Sequence, residues 1–237
     1  MSLLDLDTVA AYWHVFLRGL GITVLLTVIV MPLATLIAIP LALARLSNVK
    51  LLRWPSNIFV EFMRATPLIL QLIYIFYVLP AAGIYLNPIT AAVTGLSLHY
   101  AAYLSEVFRG GIQSIAKGQS EAALSLGLSR WLTFRKVVLP QAFRVVLPTL
   151  GNYLISLFKD TSLASVVTVQ ELMFSGQIIA ARNFQYFTVY TVTAILYFAV
   201  CYPSGLAVRY LEEYTRRGWG DAKARAQSPT AHKSGGP

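Results

Sequence analysis

The sequence has 237 residues, of which 57% are hydrophobic and only 12% are charged, with a formal net charge of +9. Soluble domains carry about 25% charged residues, so this composition excludes an ordinary soluble protein. The basic residues flank apolar blocks and form no domain of their own, so the positive charge does not indicate nucleic-acid binding.

Apolar blocks long enough to cross a bilayer follow one another along the chain. Residues 19–44, 65–105 and 183–208 contain no Asp, Glu, Lys or Arg, and about 20 apolar residues span the hydrocarbon layer. The middle block is long enough for two spans, with a hairpin predicted at its Pro- and Gly-containing stretch 80–88. The five predicted spans cover about 17–44, 60–80, 87–108, 144–167 and 186–209.

The fourth predicted span carries two charged residues. Only 14 uncharged residues separate Arg144 from Lys159, which is too few to cross, so Lys159 and Asp160 lie in or near the membrane and face protein or water. Neighbours on a helix do not face each other, so we expect different partners for the two. One of them either lines a pathway and meets a zwitterionic substrate or belongs to an ion pair that holds the fold. The candidate pathway residues are Thr66, Asn152, Tyr153, Lys159, Asp160, Thr161 and Ser162.

The distribution of Lys and Arg predicts the orientation. Basic residues cluster after the first, third and fifth spans, whereas the stretch 80–88 has none. The positive-inside rule then places the N-terminus outside and the C-terminus in the cytoplasm. We divide the chain into an extracytoplasmic N-terminus (1–14), a transmembrane domain (15–212) and a cytoplasmic tail (213–237) whose composition predicts disorder.

The sequence contains no motif for chemistry of its own. It has no phosphate-binding Gly-x-x-x-x-Gly-Lys loop, no His-Glu-x-x-His and only one cysteine. We therefore predict no catalytic residue, no metal and no cofactor in this chain, which argues against an intramembrane enzyme. His99 lies in a span beside Tyr100, and we expect it to be a hydrogen-bonded packing residue.

A short amphipathic helix is predicted at about 119–130, between the third and fourth spans. Ser120 is the expected N-cap, Glu121 falls in the first turn, and Gly127 either ends the helix or admits another backbone. Two turns are not stable alone. The helix must therefore pack on the membrane domain or on a partner, or lie on the lipid surface.

This segment resembles the signature loop of permease subunits of ATP-binding cassette (ABC) importers. That loop reads Glu-Ala-Ala, three residues, Gly, nine residues, Ile-x-Leu-Pro, and the spacing here is the same, with Val137 in place of Ile. The matching residues are Glu121, Ala122, Ala123, Gly127, Leu139 and Pro140. In such permeases the loop is a coupling helix that docks on a cytosolic ATPase.

Three longer stretches resemble the polar amino acid branch of these permeases. They are EFMRATPLILQLIYIFY (61–77, with Ala65 where the family has Gly), YLSEVFRGGIQSIAKGQSEAA (103–123) and LPQAFRVVLPTLGNYLISLFKDTSLASV (139–166). The resemblance implies an all-α polytopic protein of the type I importer fold, with five transmembrane helices and a coupling helix, in a bacterial inner membrane.

The resemblance also implies partners. These are a second permease subunit, identical or related, two cytoplasmic subunits that bind ATP and Mg, and an extracytoplasmic substrate-binding protein. The expected function is ATP-driven import of polar amino acids. A related small solute, such as an opine, cystine or a compatible solute, is the alternative cargo. An ion-driven secondary transporter is the alternative class, although an odd span count without an evident repeat argues against it.

Overall fold

The computed structural model describes residues 5–227, without the side chains of 211, 212 and 214–227. Every element in this part of the chain is helical. The α-helices α1 to α9 are Leu6–Leu46, Lys50–Ala65, Leu68–Ile73, Pro88–Gln113, Lys117–Ser125, Arg130–Thr133, Leu139–Asp160, Leu172–Asn183 and Tyr186–Gln227. π-Helical turns occupy Tyr74–Val78 and Phe134–Val138, and 3₁₀ turns occupy Leu79–Ala82 and Thr161–Val167.

Helices α1 and α4 pack along each other and supply much of the main core. Ala34, Ala38 and Ala42 recur at every fourth position of α1 and are buried, so α1 offers a face of small side chains. Small residues let helix backbones approach closely in a membrane. Leu96 and Leu104 of α4 are fully buried in the same cluster.

Asp5 caps the N-terminus of α1. Its Oδ1 accepts hydrogen bonds from the N–H groups of Asp7 and Thr8, and its Oδ2 accepts one from the Thr8 hydroxyl at 2.7 Å. These bonds hold the pKa of the Asp5 carboxyl below its usual value. The carboxylate therefore stays ionised at the positive end of the helix dipole, where it stabilises the helix.

Among the described residues, two helices are long and apolar enough to cross a membrane, namely α1 and the Tyr186–Tyr210 part of α9. The number rises to four if each of two bent helix pairs is one span. The bent pairs join Lys50–Ala65 to Leu68–Ala82 and Arg130–Val167 to Leu172–Asn183. The count of five spans stays a prediction.

The predicted span over 60–80 is interrupted at Thr66. The chain bends by 107° between Lys50–Ala65 and Leu68–Ala82. Thr66 has φ −107° and ψ 142° because the ring of the following Pro67 disfavours helical backbone at the residue before it. The sequence-based span did not anticipate this break, because the block without charged residues begins at residue 65 and continues across Thr66.

Glu171 joins three helices at the start of α8. Its carboxylate is fully buried and accepts hydrogen bonds from the N–H groups of Met173 and Phe174 and from the Tyr197 hydroxyl, each at 2.8 Å. Thr23 of α1 donates to the same carboxylate at 3.4 Å and accepts from the Leu172 N–H. A buried carboxylate needs such donors, so Glu171 links α1, α8 and α9.

Helix α9 continues beyond the last predicted span. Its Tyr186–Tyr210 part, which is long and apolar enough to cross a membrane, agrees with the span predicted over about 186–209. The helix runs on to Gln227, whereas the tail from 213 was expected to be disordered. The structure describes helix over 213–227, the first part of the predicted tail. This part contains no proline, because the next proline after Pro203 is Pro229. Residues 228–237 of the predicted tail lie outside the described residues.

Candidate functional site

The segment predicted to dock on a partner forms helix α5, over Lys117–Ser125, not about 119–130. The N-cap is Ala116, which makes no side-chain capping bond, so the predicted N-cap role of Ser120 is wrong. The backbone at Ala116 is extended (ψ 131°), and helical geometry begins at the next residue. Glu121 consequently lies in the second turn of the helix.

Gly127 ends this segment in a left-handed conformation. Its φ is +82°, its N–H donates to the Leu124 carbonyl at 2.9 Å, and the Leu128 N–H donates to the Ala123 carbonyl at 3.2 Å. This pair of bonds is a Schellman motif, which glycine favours because it has no Cβ. Among the residues that the structure describes, and apart from the two chain neighbours of Gly127, no atom lies within 4 Å of a Cβ built there. Its role inside the chain is therefore the turn and not a close backbone approach.

The signature residues divide between an inner and an outer face. Ala123 is buried, whereas Glu121, Ala122 and Gly127 are exposed. Leu139 and Pro140 are exposed at the start of α7, directly after the π turn Phe134–Val138. Proline is tolerated in the first turn of a helix because its missing N–H would lack an intrahelical acceptor there.

A groove of about 590 Å³ runs beside α5. Its apolar wall includes Ile112, Ile115 and Phe134, and its polar residues include Lys117 and Glu121. The end of α4, α5 and the segment before α7 therefore form one surface. Such a surface, with exposed small and charged residues around an apolar groove, can accept a partner protein.

The second candidate region surrounds Asp160 at the end of α7. The Tyr100 hydroxyl of α4 donates to Asp160 Oδ2 at 2.6 Å. Lys159 is exposed. The two neighbours thus have different surroundings, and among the described residues neither belongs to an ion pair. That Lys159 has a partner of its own stays a prediction.

Three tyrosines, Tyr100, Tyr103 and Tyr153, form what we call the tyrosine row. The ring of Tyr153 lies 6.3 Å from that of Tyr100 and 6.1 Å from that of Tyr103. The Arg64 guanidinium lies 5.6 Å from the centroid of the Tyr103 ring. A carboxylate therefore lies at one end of the row and a guanidinium at the other.

Thr66 is fixed at the bend between α2 and α3. The Gln71 amide nitrogen donates to Thr66 Oγ1 and to the Met63 carbonyl, each at 2.8 Å. The Gln71 amide oxygen is then left to accept from His99 Nδ1 at 3.0 Å. His99 is a hydrogen-bonded packing residue, as the sequence predicted.

The remaining candidate pathway residues occupy different environments. Thr161 is fully buried and donates to the Phe158 carbonyl at 2.7 Å, so it faces away from the surface. Ser162 and Tyr153 are half-buried, and Asn152 is exposed. Sequence analysis missed Tyr100 and Tyr103, although their spacing of three places them on one face of α4.

A charge cluster lies beside the tyrosine row. Glu106 of α4 forms ion pairs with Arg45 and Arg109, each at 2.7 Å, and with Arg64 at 3.1 Å. Arg45 Nε also donates to Asn57 of α2 at 2.8 Å. The cluster joins α1, α2 and α4, and it holds the Arg64 guanidinium through Nη1. In the described part of the chain, no group of three or more His, Cys, Asp or Glu side chains could hold a metal.

Comparison with known families decides the class of this molecule. A model of the family described as binding-protein-dependent transport system inner membrane component matches residues 32–217. The chain belongs to this family. It is therefore the membrane component of a transport system and a transport subunit, not an enzyme. Members of the family work within ABC transporters that contain further subunits.

Curated relatives agree with this family. The chain is 42% identical over 197 residues to the probable amino-acid ABC transporter permease protein YckA of Bacillus subtilis, covering 83% of this chain and 87% of the relative. It is 41% identical over 203 residues to the L-cystine transport system permease protein TcyB of B. subtilis, covering 85% and 87%. It is also 41% identical over 165 residues to the glutamine transport system permease protein GlnP of Escherichia coli, covering 67% and 75%.

Solved structures share the fold. The crystal structure of an amino acid ABC transporter with histidines aligns with a TM-score of 0.84 and 31% identity over 89% of this chain and 99% of that chain. The inward-facing MetNI methionine ABC transporter aligns with a TM-score of 0.68 and 20% identity over 85% and 98%. The latter likeness shows the fold alone. The all-helical permease fold predicted from the sequence is confirmed in this coarser sense.

Proposed function

We propose that the chain is the permease subunit of an ATP-driven importer that moves polar amino acids across the bacterial inner membrane. The observation that carries this proposal is the tyrosine row, with Asp160 at one end and Arg64 at the other. A zwitterionic amino acid presents an ammonium group to the carboxylate and a carboxylate group to the guanidinium. The aromatic rings between them cover its apolar atoms and attract its cation.

The substrate pathway in this proposal includes half-buried and exposed residues near the row. Tyr153 and Asp160 contact the amino acid, and Asn152, Lys159 and Ser162 border its route. Thr66 borders the route from the opposite side, where Gln71 holds its hydroxyl. Thr161 is buried, so it positions the end of α7 and does not touch the substrate.

In this proposal, helix α5 couples ATP hydrolysis by a separate ATPase to transport. Glu121, Ala122 and Gly127 are exposed there, beside the groove that Leu124 and Phe134 help to line. We place a cytosolic ATPase against this surface, with one such subunit for each of two paired permeases. ATP and Mg bind to the ATPase, and an extracytoplasmic binding protein delivers the substrate. The N-terminus then lies outside and the C-terminus in the cytoplasm.

The cargo within this class has one specific alternative. Cystine is favoured by the 41% identity to a permease protein of an L-cystine transport system. Cystine carries two zwitterionic ends, so it would need the row to be open towards a second pair of charges. An opine or a compatible solute is the remaining alternative.

The experiment that tests this function is uptake in reconstituted vesicles. The permease is purified with the ATPase and binding protein encoded beside it, and labelled glutamine, histidine, arginine and cystine are offered in turn. We expect uptake of a polar amino acid that requires ATP on the side of the membrane where the ATPase lies. This uptake should survive collapse of the ion gradients. Uptake that needs an ion gradient and no ATP would contradict the proposal and favour a secondary transporter.

A further inference from the structure

Helix α2 exposes an apolar stripe, defined by Leu51, Trp54, Ile58 and Phe62. Their spacing of three or four residues places them on one face of the helix, and their exposed fractions are 82%, 67%, 59% and 62%. On a different face, Val60 and Met63 are buried in a cluster with Ala102 of α4. Packing within the chain therefore uses one apolar face of α2 and leaves the stripe uncovered.

The contacts of α2 show how it is oriented. It makes an angle of 107° with the segment Leu68–Ala82, which is close to perpendicular. Asn57 bonds to Arg45 at the end of α1, and Arg64 bonds to Glu106, which itself pairs with Arg45. Two points along α2 are thus tied to one charge cluster. Helix α2 therefore lies beside the end of α1 and beside α4, at the level of these charges.

Two cations flank the apolar stripe at the start of α2. The side chains of Lys50 and Arg53 make no ion pair or hydrogen bond with any residue that the structure describes, whereas Glu61 and Arg64 at the other end are paired. Both cations lie in the first turn, where the helix dipole is positive, and Val49 provides no side-chain cap. An anionic partner would offset this accumulation of positive charge.

We propose that α2 is an interfacial helix that binds anionic phospholipid headgroups. Lys50 and Arg53 contact the lipid phosphates, and the apolar stripe inserts at the boundary between headgroups and acyl chains. A helix with a basic edge, an apolar face and a Trp is suited to this position. Each basic residue near an anionic bilayer adds to the attraction.

A second copy of this chain is a poorer occupant for the stripe. The sequence has only 10 acidic residues against 19 basic ones. At least five of the acidic residues are already bonded within the chain, namely Asp5, Glu61, Glu106, Asp160 and Glu171. Few carboxylates are left to meet Lys50 and Arg53, whereas an anionic bilayer supplies negative charge over a whole surface.

The test uses Trp54 as a probe in the full-length chain. Trp13, Trp131 and Trp219 are replaced by Phe, and the protein is placed in nanodiscs that contain brominated phosphatidylglycerol or brominated phosphatidylcholine. We expect brominated phosphatidylglycerol to quench Trp54 at least about twofold more strongly, because the basic residues enrich anionic lipid around the helix. The preference should fall as salt is raised.

Matched variants locate the charges responsible. Lys50→Gln with Arg53→Gln should remove the preference for phosphatidylglycerol, whereas Arg135→Gln with Lys136→Gln, which removes the same charge elsewhere, should leave it unchanged. Equal quenching by the two lipids at low salt would overturn the proposal. Absence of quenching by either lipid would also overturn it, since protein would then cover the stripe. If the double variant does not fold, quenching of Trp54 measured at increasing salt in the protein with Lys50 and Arg53 intact still tests the proposal.

Discussion

The hydroxyl of Tyr100 donates a 2.6 Å hydrogen bond to the carboxylate of Asp160, which joins the middle of α4 to the C-terminal end of α7. Tyr100 is almost fully buried, whereas Asp160 is only partly buried. One oxygen of the carboxylate is thus engaged by the fold. The charge of the group is compensated by no cation among the described residues, so it is available to a substrate.

Asp160→Asn should separate the transport role from the structural role. The amide oxygen of Asn can still accept from Tyr100, so assembly and yield should stay close to normal. Loss of the negative charge should lower uptake at least about tenfold, because a charged hydrogen bond contributes about 1.5–3 kcal/mol. Tyr100→Phe is the control that removes the internal bond and keeps the charge. Normal uptake by Asp160→Asn would remove Asp160 from the substrate pathway.

Glu106 should be far less replaceable than Glu61. Glu106→Gln removes the carboxylate that lies 2.7 Å from the buried Arg45, whose side chain is 7% exposed, and leaves it only the more distant Glu61 at 3.9 Å. Breaking such a buried pair costs about 3–5 kcal/mol. Glu61 is 66% exposed and contacts Arg64 at 3.7 Å. Glu61→Gln should therefore change stability by only about 0.5 kcal/mol. Thermal unfolding of the two purified variants in one detergent measures the difference, and similar melting temperatures would refute the importance of the cluster.

The Asp160 site and helix α5 differ in how far the sequence could predict them. The charge of Asp160 drew attention because the apolar block around it was too short to cross a membrane. Its partner Tyr100 lies 60 residues away, and no local pattern indicates which residue of another helix will meet it. The turn at Gly127 was predictable because a Schellman motif is made by neighbouring residues. The start of α5 was not, because Ser120 is an acceptable N-cap in isolation, whereas the N-cap lies four residues earlier, at Ala116.

The glycines of α1 provide a matched pair for testing the contact with α8. A Cβ at Gly19 would lie 2.6 Å from Ser175 Oγ and about 3.0 Å from the Leu172 backbone, whereas a Cβ at Gly21 would contact nothing within 4 Å. Gly19→Ala should therefore destabilise the protein by about 1–3 kcal/mol through overpacking. Gly21→Ala should be neutral or slightly stabilising because Ala favours a helix. Equal thermal stability of the two variants would contradict the packing described for α1 and α8.

The proposed orientation can be tested by cysteine labelling. In a Cys201→Ala background, single cysteines replace Ile84, in the turn after the second predicted span, and Gly118, in α5. An impermeant thiol reagent should label the Ile84→Cys protein in intact cells and the Gly118→Cys protein only after lysis. Labelling of Gly118→Cys from outside would overturn the proposed topology.

The central claim is that α5 couples this chain to a separate ATPase, and Gly127 is its most sensitive position. A side chain at φ +82° costs about 1–2 kcal/mol and more when it is β-branched, and Gly127 has open space around it within the chain. Gly127→Val should then disturb the turn and the partner surface but not the spans. Gly127→Asn should be milder because Asn tolerates this conformation. Gly110→Val is the control, at a glycine that also has open space but no positive φ.

The decisive measurement is co-purification of the ATPase with tagged permease, together with ligand-stimulated ATP hydrolysis in lipid vesicles. The account predicts that Gly127→Val inserts and pairs normally yet loses most of the bound ATPase and the stimulated hydrolysis. Gly127→Asn should retain an intermediate amount, and Gly110→Val should retain both. Full ATPase retention and full coupled transport by Gly127→Val would contradict the account and make α5 an ordinary surface helix.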